Sequence, residues 1–278
     1  MSMRIFASDL DHPEGLAFSP QGWVAAGGES GQIYRIDANS GEAKEIANTG
    51  GFLLGMAFDV DSNLYLCDMG RHAVLRYNVT THEITDLTSG KVSVSLNSPN
   101  FPVFHSDGRL FFSDSGDWGA KNGRLFCIHP NGEVTLESEL LPSFTNGLAI
   151  DASEEYLYVV ESEDPKVSRC AISQSGVGAP ELVVAMPRTV PDGLAFAADG
   201  RLLICCYRPD AIFIWDGKSL SEVLNDWSGI FLGAPTNAAF IGEKLDRLIS
   251  ANLAGRYLAE IEVSFSGMPL KYPKIKGN

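Results

Sequence analysis

A short phrase of apolar and small residues recurs six times along the chain, opening each time on a residue that varies. Successive copies start 40, 46, 46, 46 and 44 residues apart, close to the ~40–45 residues of one four-stranded propeller blade. The copies are 14–18 (EGLAF), 54–58 (LGMAF), 100–104 (NFPVF), 146–150 (NGLAI), 192–196 (DGLAF) and 236–240 (TNAAF). This repetition predicts six structural units of one kind.

Each phrase is followed by a turn and then by further β-rich runs. Asp-Gly at 107–108 and 199–200 is typical of tight hairpins, because glycine supplies the positive φ that they need. Second runs such as 64–68 (LYLCD) and 110–114 (LFFSD) are almost continuously apolar, which indicates sheets covered on both faces. No segment has the pattern of a long amphipathic helix.

The six units predict an all-β protein, a single six-bladed β-propeller spanning residues 1–278. A generic β-sandwich is the alternative, but it does not explain six copies of one phrase. Ring closure requires the ends to meet, so we expect residues 3–7 to form an outer strand beside the last blade, near 256–263.

Composition narrows the choice of partners and of cell compartment. The 278 residues carry a formal net charge of −14, which opposes binding to nucleic acid or to an anionic membrane surface. With no leader or membrane-spanning pattern, we expect a soluble cytoplasmic protein. The cysteines lack CxxC spacing and the five histidines share no ligand spacing, so buried thiols are expected rather than a zinc knuckle or a disulfide framework.

In a closed ring of blades, equivalent residues lie at one height around the central channel. The first positions of the six phrases are Glu14, Leu54, Asn100, Asn146, Asp192 and Thr236. Two carboxylates and two amides converging on an axis suit a hard divalent cation. The alternative, that these polar groups only hydrate the channel, stays open on spacing alone.

A second ring falls at the ends of the second strands and includes Asp68, Asp114 and Glu161. These acids either bind a second ion or substrate hydroxyls, or fix the adjacent turns by accepting backbone hydrogen bonds. We favour the turn-fixing interpretation, since acids at strand ends commonly serve it.

Four segments together resemble the gluconolactonase, senescence-marker-protein and luciferin-regenerating-enzyme-like family. They are 13–15 (PEG), 97–100 (NSPN), 145–148 (TNGL) and 191–194 (PDGL). The resemblance implies a six-bladed propeller lactonase with one divalent ion in its channel. The family's metal-binding Glu, Asn and Asp fall on Glu14, Asn146 and Asp192, and a further family Asn that touches substrate or metal-bound water falls on Asn100.

On this resemblance we expect metal-dependent hydrolysis of a small-molecule lactone in the channel. Asp192 would accept a proton from the attacking water, and Asn100 would orient the substrate or stabilise the developing oxyanion. All-oxygen ligation makes Ca²⁺ the first choice of ion, with Mg²⁺, Mn²⁺, Fe²⁺ or Zn²⁺ as alternatives. No serine-hydrolase elbow, phosphate loop or dinucleotide fingerprint is present.

The chain departs from the family pattern at two positions beside Asn100. Animal members carry Arg where this chain has Ser98, and many bacterial members carry Asp where it has Phe101. We therefore expect a less polar pocket, lined by Phe101, Asp117, Trp118 and Tyr207. Two other interpretations remain: a non-catalytic propeller that binds a protein, and a strictosidine-synthase-like, dehydratase or isomerase enzyme on the same fold.

Overall fold

The computed structural model describes residues 2–274, which form antiparallel strands and loops without a helix. No helix in this range is long and apolar enough to cross a bilayer. In chain order the strands are β1 (Met3–Ser8), β2 (Leu16–Phe18), β3 (Trp23–Gly27), β4 (Gln32–Asp37), β5 (Ala43–Asn48), β6 (Leu53–Phe58), β7 (Leu64–Asp68), β8 (Ala73–Tyr77), β9 (Ile84–Asp86), β10 (Pro99–Phe104), β11 (Leu110–Asp114), β12 (Arg124–Ile128), β13 (Val134–Ser138), β14 (Thr145–Ile150), β15 (Tyr156–Glu161), β16 (Lys166–Ser173), β17 (Gly176–Val177), β18 (Glu181–Ala185), β19 (Val190–Phe196), β20 (Leu202–Arg208), β21 (Ala211–Trp215), β22 (Leu220–Asn225), β23 (Pro235–Ile241), β24 (Arg247–Asn252) and β25 (Tyr257–Ile261).

The strands form six sheets, which confirms the predicted six-bladed propeller. Blades 1, 2, 3 and 5 are β2–β5, β6–β9, β10–β13 and β19–β22, and blade 4 is β14, β15, β16 and β18 with β17 added at β16. The recurring phrase supplies the inner strand of every blade. These inner strands contact one another in the closed order β2, β6, β10, β14, β19, β23 and back to β2, so they surround one central channel.

The ring is closed by the N-terminal strand, as predicted. Strand β1 pairs antiparallel with β25, in a register that joins Met3 to Ile261 and Ser8 to Tyr257. Blade 6 therefore consists of β23, β24, β25 and β1, and it takes its outermost strand from the opposite end of the chain. This pairing removes the free edge that an open ring would leave.

The hydrophobic core is divided among six clusters, one at each interface between neighbouring blades. Strand β20 shows why its sequence is continuously apolar. Leu202, Ile204 and Cys206 pack toward blade 4, while Leu203 and Cys205 pack toward blade 6. Both faces of the strand are buried, so the usual apolar-polar alternation is lost. The five cysteines are buried and unpaired, as expected.

One end of the channel is an apolar cavity of about 170 Å³. Its wall comes from the last three residues of the phrases, among them Phe18 and Phe58, and residues 268–272 lie across it. Tyr272 anchors that C-terminal segment by donating a hydrogen bond from its hydroxyl to the carbonyl of Phe18 at 2.7 Å. Phe101 lines this cavity, whereas none of the polar first-position residues does.

Candidate metal centre

The first-position residues lie at one level of the channel, because a glycine follows four of them. A Cβ added to Gly15 would lie 2.0 Å from the carbonyl oxygen of Leu54, and one on Gly147 would lie 2.2 Å from that of Asp192. The glycines at 55 and 193 meet the carbonyls of the next blade's first-position residues in the same way. Each glycine thus lets one inner strand approach the next, and the approach fixes their common register.

Four side-chain oxygens of this ring are buried and have no hydrogen-bond partner among residues 2–274. They are Glu14 Oε2, Asn100 Oδ1, Asn146 Oδ1 and Asp192 Oδ1. Leaving a buried polar atom unpaired costs about 1–3 kcal/mol, and more for a charged group. Four such oxygens buried in one ring are suited to a hard cation, because such ions bind carboxylate and amide oxygens together with water.

Two serines orient the asparagine amides so that their oxygens remain free. Asn100 Nδ2 donates to Ser115 Oγ at 2.9 Å, and that hydroxyl donates to the Thr145 carbonyl at 2.7 Å. In the next blade Asn146 Nδ2 donates to Ser162 Oγ at 3.2 Å, and that hydroxyl donates to the Pro191 carbonyl at 2.7 Å. Because each serine hydroxyl donates its single proton to a backbone carbonyl, its oxygen can act only as an acceptor toward the amide nitrogen. If either amide were flipped, its oxygen would face the serine oxygen, and two hydrogen-bond acceptors would be in contact.

The two carboxylates of the ring resist ionisation in the absence of a cation. Burial raises the pKa of Asp192 to about 8. Burial also raises the pKa of Glu14 well above its usual range, and the nearby charge of Asp192 raises it further. A divalent cation would remove this repulsion between the two ionised acids, because its charge offsets both carboxylates at once.

The other two ring members do not offer free side-chain oxygens. Leu54 is apolar and buried. Thr236 donates its hydroxyl to the Glu14 carbonyl at 2.6 Å, and Asn237 Nδ2 donates to the same oxygen at 3.0 Å. Thr236 therefore joins the last blade to the first, which leaves Glu14, Asn100, Asn146 and Asp192 as the ring residues with a free side-chain oxygen.

The second ring holds the loops that lead into the inner strands, as the favoured interpretation predicts. Asp68 Oδ1 accepts from the backbone N–H of Phe52 at 2.9 Å. Asp114 Oδ1 accepts from Ser98 N at 2.6 Å, and Glu161 Oε1 from Ser143 N at 3.1 Å. Each acid thus fixes a backbone group two or three residues ahead of a first-position residue. These acids hold the loops ahead of the candidate site, and Asp68 keeps its Oδ2 buried without a partner among residues 2–274.

The residues expected to line a substrate pocket are spread over two regions. Trp118 is 60% exposed and packs its ring edge-on against Phe144, at 5.0 Å between centroids. Asp117 accepts from the Asn97 side chain at 2.6 Å. Tyr207 is also exposed, near the end of β20. Phe101 instead packs toward Gly55 of the neighbouring blade and lines the apolar cavity.

Sequence reasoning missed Ser115 and Ser162. Both follow directly on an acid of the second ring, in Asp114-Ser115 and Glu161-Ser162, in the two blades whose first position is asparagine. That coincidence is the signal that would have found them. Their partners lie 15 and 16 residues earlier in the chain, a pairing that becomes evident only once the inner and second strands are adjacent.

Comparisons with known proteins agree with this fold. The model of the SMP-30/gluconolactonase/LRE-like region matches residues 22–251, and a strictosidine synthase-like N-terminal model matches residues 3–36. Glu14 therefore lies ahead of the first match and within the second. The two matches overlap at residues 22–36, so this N-terminal part of the chain is similar to both families.

Individual relatives are distant. A gluconolactonase of Zymomonas mobilis is 24% identical over 212 residues, which cover 68% of this chain and 58% of the relative. Protein strictosidine synthase-like 6 of Arabidopsis thaliana is 24% identical over 213 residues, covering 70% and 56%. The chain thus spans little more than half of each relative. The crystal structure of regucalcin, a calcium-binding protein from Agrobacterium tumefaciens, superimposes with a TM-score of 0.78 at 17% identity, covering 99% of this chain and 97% of that protein.

Proposed function

This chain belongs to the SMP-30/gluconolactonase/LRE-like family, and from that membership we propose that it is a metal-dependent lactonase acting in the propeller channel. One observation carries the proposal. Within the ring of first-position residues, Glu14, Asn100, Asn146 and Asp192 each keep one buried side-chain oxygen without a partner among residues 2–274. A purely structural ring would have paired these atoms, as Thr236 is paired.

The donor set fits one divalent ion. Glu14, Asn146 and Asp192 would hold it, because two carboxylates balance its charge and the amide adds a neutral oxygen. An all-oxygen set favours Ca²⁺, and Mg²⁺ or Mn²⁺ would also suit it. When bound, the ion would supply polarisation of the lactone carbonyl and a lowered pKa of the attacking water.

Three side chains would position the reactants and move the proton. Asp192 would accept the proton of the attacking water, since burial raises its pKa and so makes it a stronger base than an exposed carboxylate. Asn100 would act through its free Oδ1, by accepting a hydrogen bond from the water or from a substrate hydroxyl. Ser115 would keep that oxygen in place, because it already occupies the amide nitrogen of Asn100.

The proposal is tested by removing and returning the ion. After chelation, hydrolysis of a panel of sugar-acid and aliphatic lactones should fall to background, since the proposal assigns polarisation of the carbonyl to the ion. Adding back Ca²⁺, Mg²⁺ or Mn²⁺ should restore it, with one equivalent bound per chain by elemental analysis. Two results would reject the proposal. One is hydrolysis that continues after the ion has been shown to be removed, and the other is an ion that binds but does not restore hydrolysis.

A second prediction concerns Ser162, the residue that orients Asn146. Ser162→Ala should weaken divalent-ion binding about 10–100-fold, as is typical when the support of a metal ligand is lost. The matched control is Ser168→Ala, which removes a buried hydroxyl of the same blade on β16. Calorimetric titration separates the outcomes: a purely structural role would lower the melting temperature of both variants and leave the ion affinity unchanged.

A different chemistry on this fold is the second candidate. The match of residues 3–36 to the strictosidine synthase-like model, together with the Arabidopsis relative, favours it. At neutral pH, lactone hydrolysis yields one hydroxy carboxylate and one proton per turnover, whereas condensation or isomerisation releases no acid. Product analysis with pH-stat titration would therefore separate the two candidates.

A further inference from the structure

A cluster of three metal-ligating side chains lies outside the channel, on blade 3. Cys127 of β12, His129 just after β12 and Glu137 of β13 each offer one ligand atom, and these atoms lie within 4.8 Å of one another. We propose that this cluster is a second metal site, which binds Zn²⁺ at the seam between blades 3 and 4. It is independent of the channel site in ligands, position and ion preference.

The local fold explains why the three residues meet. Cys127 and His129 are two apart at the end of a strand, so their side chains share one face. Cys127 is paired across the hairpin with Thr135, two residues from Glu137. A register shift between Leu125 and Phe126 marks a β-bulge in this pair of strands, and bulges commonly re-aim side chains.

Hydrogen bonds around the cluster prepare the histidine as a ligand. Thr135 donates its hydroxyl proton to Glu137 Oε1, so His129 Nε2, at 2.9 Å from the same hydroxyl, must be the donor in that contact. A neutral imidazole with its proton on Nε2 carries its lone pair on Nδ1. Nδ1 has no hydrogen-bond partner among residues 2–274. A histidine that donates one N–H to a supporting group while its other nitrogen is free has the arrangement typical of zinc ligands.

Glu137 is held in place by an addition to blade 4. The short strand β17 follows β16, and its Val177 N–H donates to Glu137 Oε2 at 3.1 Å. A Cβ on Gly176, whose φ is +118°, would lie 2.4 Å from that same oxygen. The hairpin therefore closes on Oε2, while Oε1 accepts the hydroxyl of Thr135. An ion here would bind three residues of blade 3 beside this contact with blade 4.

The chemistry of the ligands selects the ion. A thiolate, an imidazole and a carboxylate form a mixed set that suits Zn²⁺, whereas the channel ring offers oxygens only. The thiolate and the carboxylate together cancel the charge of a divalent ion, which favours binding in a half-buried seam. Bound to tetrahedral Zn²⁺, the three ligand atoms would be about 3.3–3.8 Å apart, so small side-chain rotations bring them to bonding distance. Water would complete the fourth position.

The experiment uses the full chain, stripped of metal and titrated with Co²⁺ as a spectroscopic probe for Zn²⁺. A thiolate-to-Co²⁺ charge-transfer band should appear with one equivalent and disappear when Zn²⁺ is added. Cys127→Ala should lack the band. Cys170→Ala is the matched control, because Cys170 is a buried cysteine of the same core cluster, and it should keep the band.

Two further variants make the outcome decisive. Asp192→Asn should keep the band, since it alters only the channel ring, and failure of the channel proposal would not affect this result. His129→Gln should weaken Zn²⁺ binding at least about tenfold in competition with a chromophoric chelator, even if Cys127→Ala folds poorly. No band in the unaltered protein, or a band that persists in Cys127→Ala, would overturn the site.

Discussion

Replacing Asp192 by alanine is expected to reduce lactone hydrolysis at least about 10³-fold while the propeller stays folded. The change would remove both an ion ligand and the proposed proton acceptor, and a positioned general base alone contributes about 10²–10⁴-fold. The ion-free protein should become more stable, because a buried carboxylate without a partner is lost. Steady-state hydrolysis, calorimetric ion titration and thermal unfolding measure the three effects.

The matched control is Asp199→Ala, in an exposed turn of the same blade. It should leave hydrolysis and ion affinity unchanged. Asp192→Asn divides the two roles of the residue, since the amide keeps an oxygen for the ion but is a poor base. Undiminished hydrolysis by Asp192→Ala would remove this residue from the mechanism, and the hydrolase proposal would lose its main support.

Ion-free protein is expected to lose stability as the pH rises from 5.5 to 8. The folded-state pKa of Asp192 is raised to about 8 by burial, so the folded chain keeps a proton that the unfolded chain has already released. Stability from such a group is complete below the unfolded pKa and is lost as pH rises through the folded pKa. The loss is about 1.4 kcal/mol per pH unit for each retained proton, or about 3 kcal/mol over this range.

For a chain of this size that loss corresponds to a fall of about 5–10 °C in melting temperature. Saturating Ca²⁺ should abolish most of the pH dependence, because the bound ion would keep both carboxylates ionised across the range. The double variant Glu14→Gln/Asp192→Asn should be nearly pH-independent without any ion. A melting temperature of ion-free protein that is flat from pH 5.5 to 8 would show that the two acids do not share a buried, unneutralised ring.

Much of the fold followed from the sequence because propellers repeat. Six copies at nearly equal spacing predicted six blades, and continuous apolar runs predicted strands covered on both faces, as β20 illustrates. Closure by β1 was predictable from the need to pair the free edge. The candidate ring was equally accessible, since rotation brings equivalent positions of a repeat to one height.

What the sequence could not supply were contacts between unrelated positions. The Phe101 side chain was expected beside the substrate, but the close packing against Gly55 sets it among the residues of the apolar cavity. The residues that cover this cavity come from the C-terminal segment, which has no counterpart in the repeat. The histidines shared no linear ligand spacing, yet a hairpin brings His129 to Cys127 and Glu137.

The sequence by itself determined the number of blades, the way the ring closes and which residues are the candidates for the ring. The blades and the candidates follow from a repeated pattern, and closure follows from the free edge that an open ring would leave. Tertiary structure alone decided which atoms of those residues stay unpaired. Ser115 and Ser162 decide this for the two asparagines, because they accept hydrogen bonds from the amide nitrogens of Asn100 and Asn146. The direction of a hydrogen bond depends on which groups are adjacent in space, and the pattern along the chain does not specify those groups.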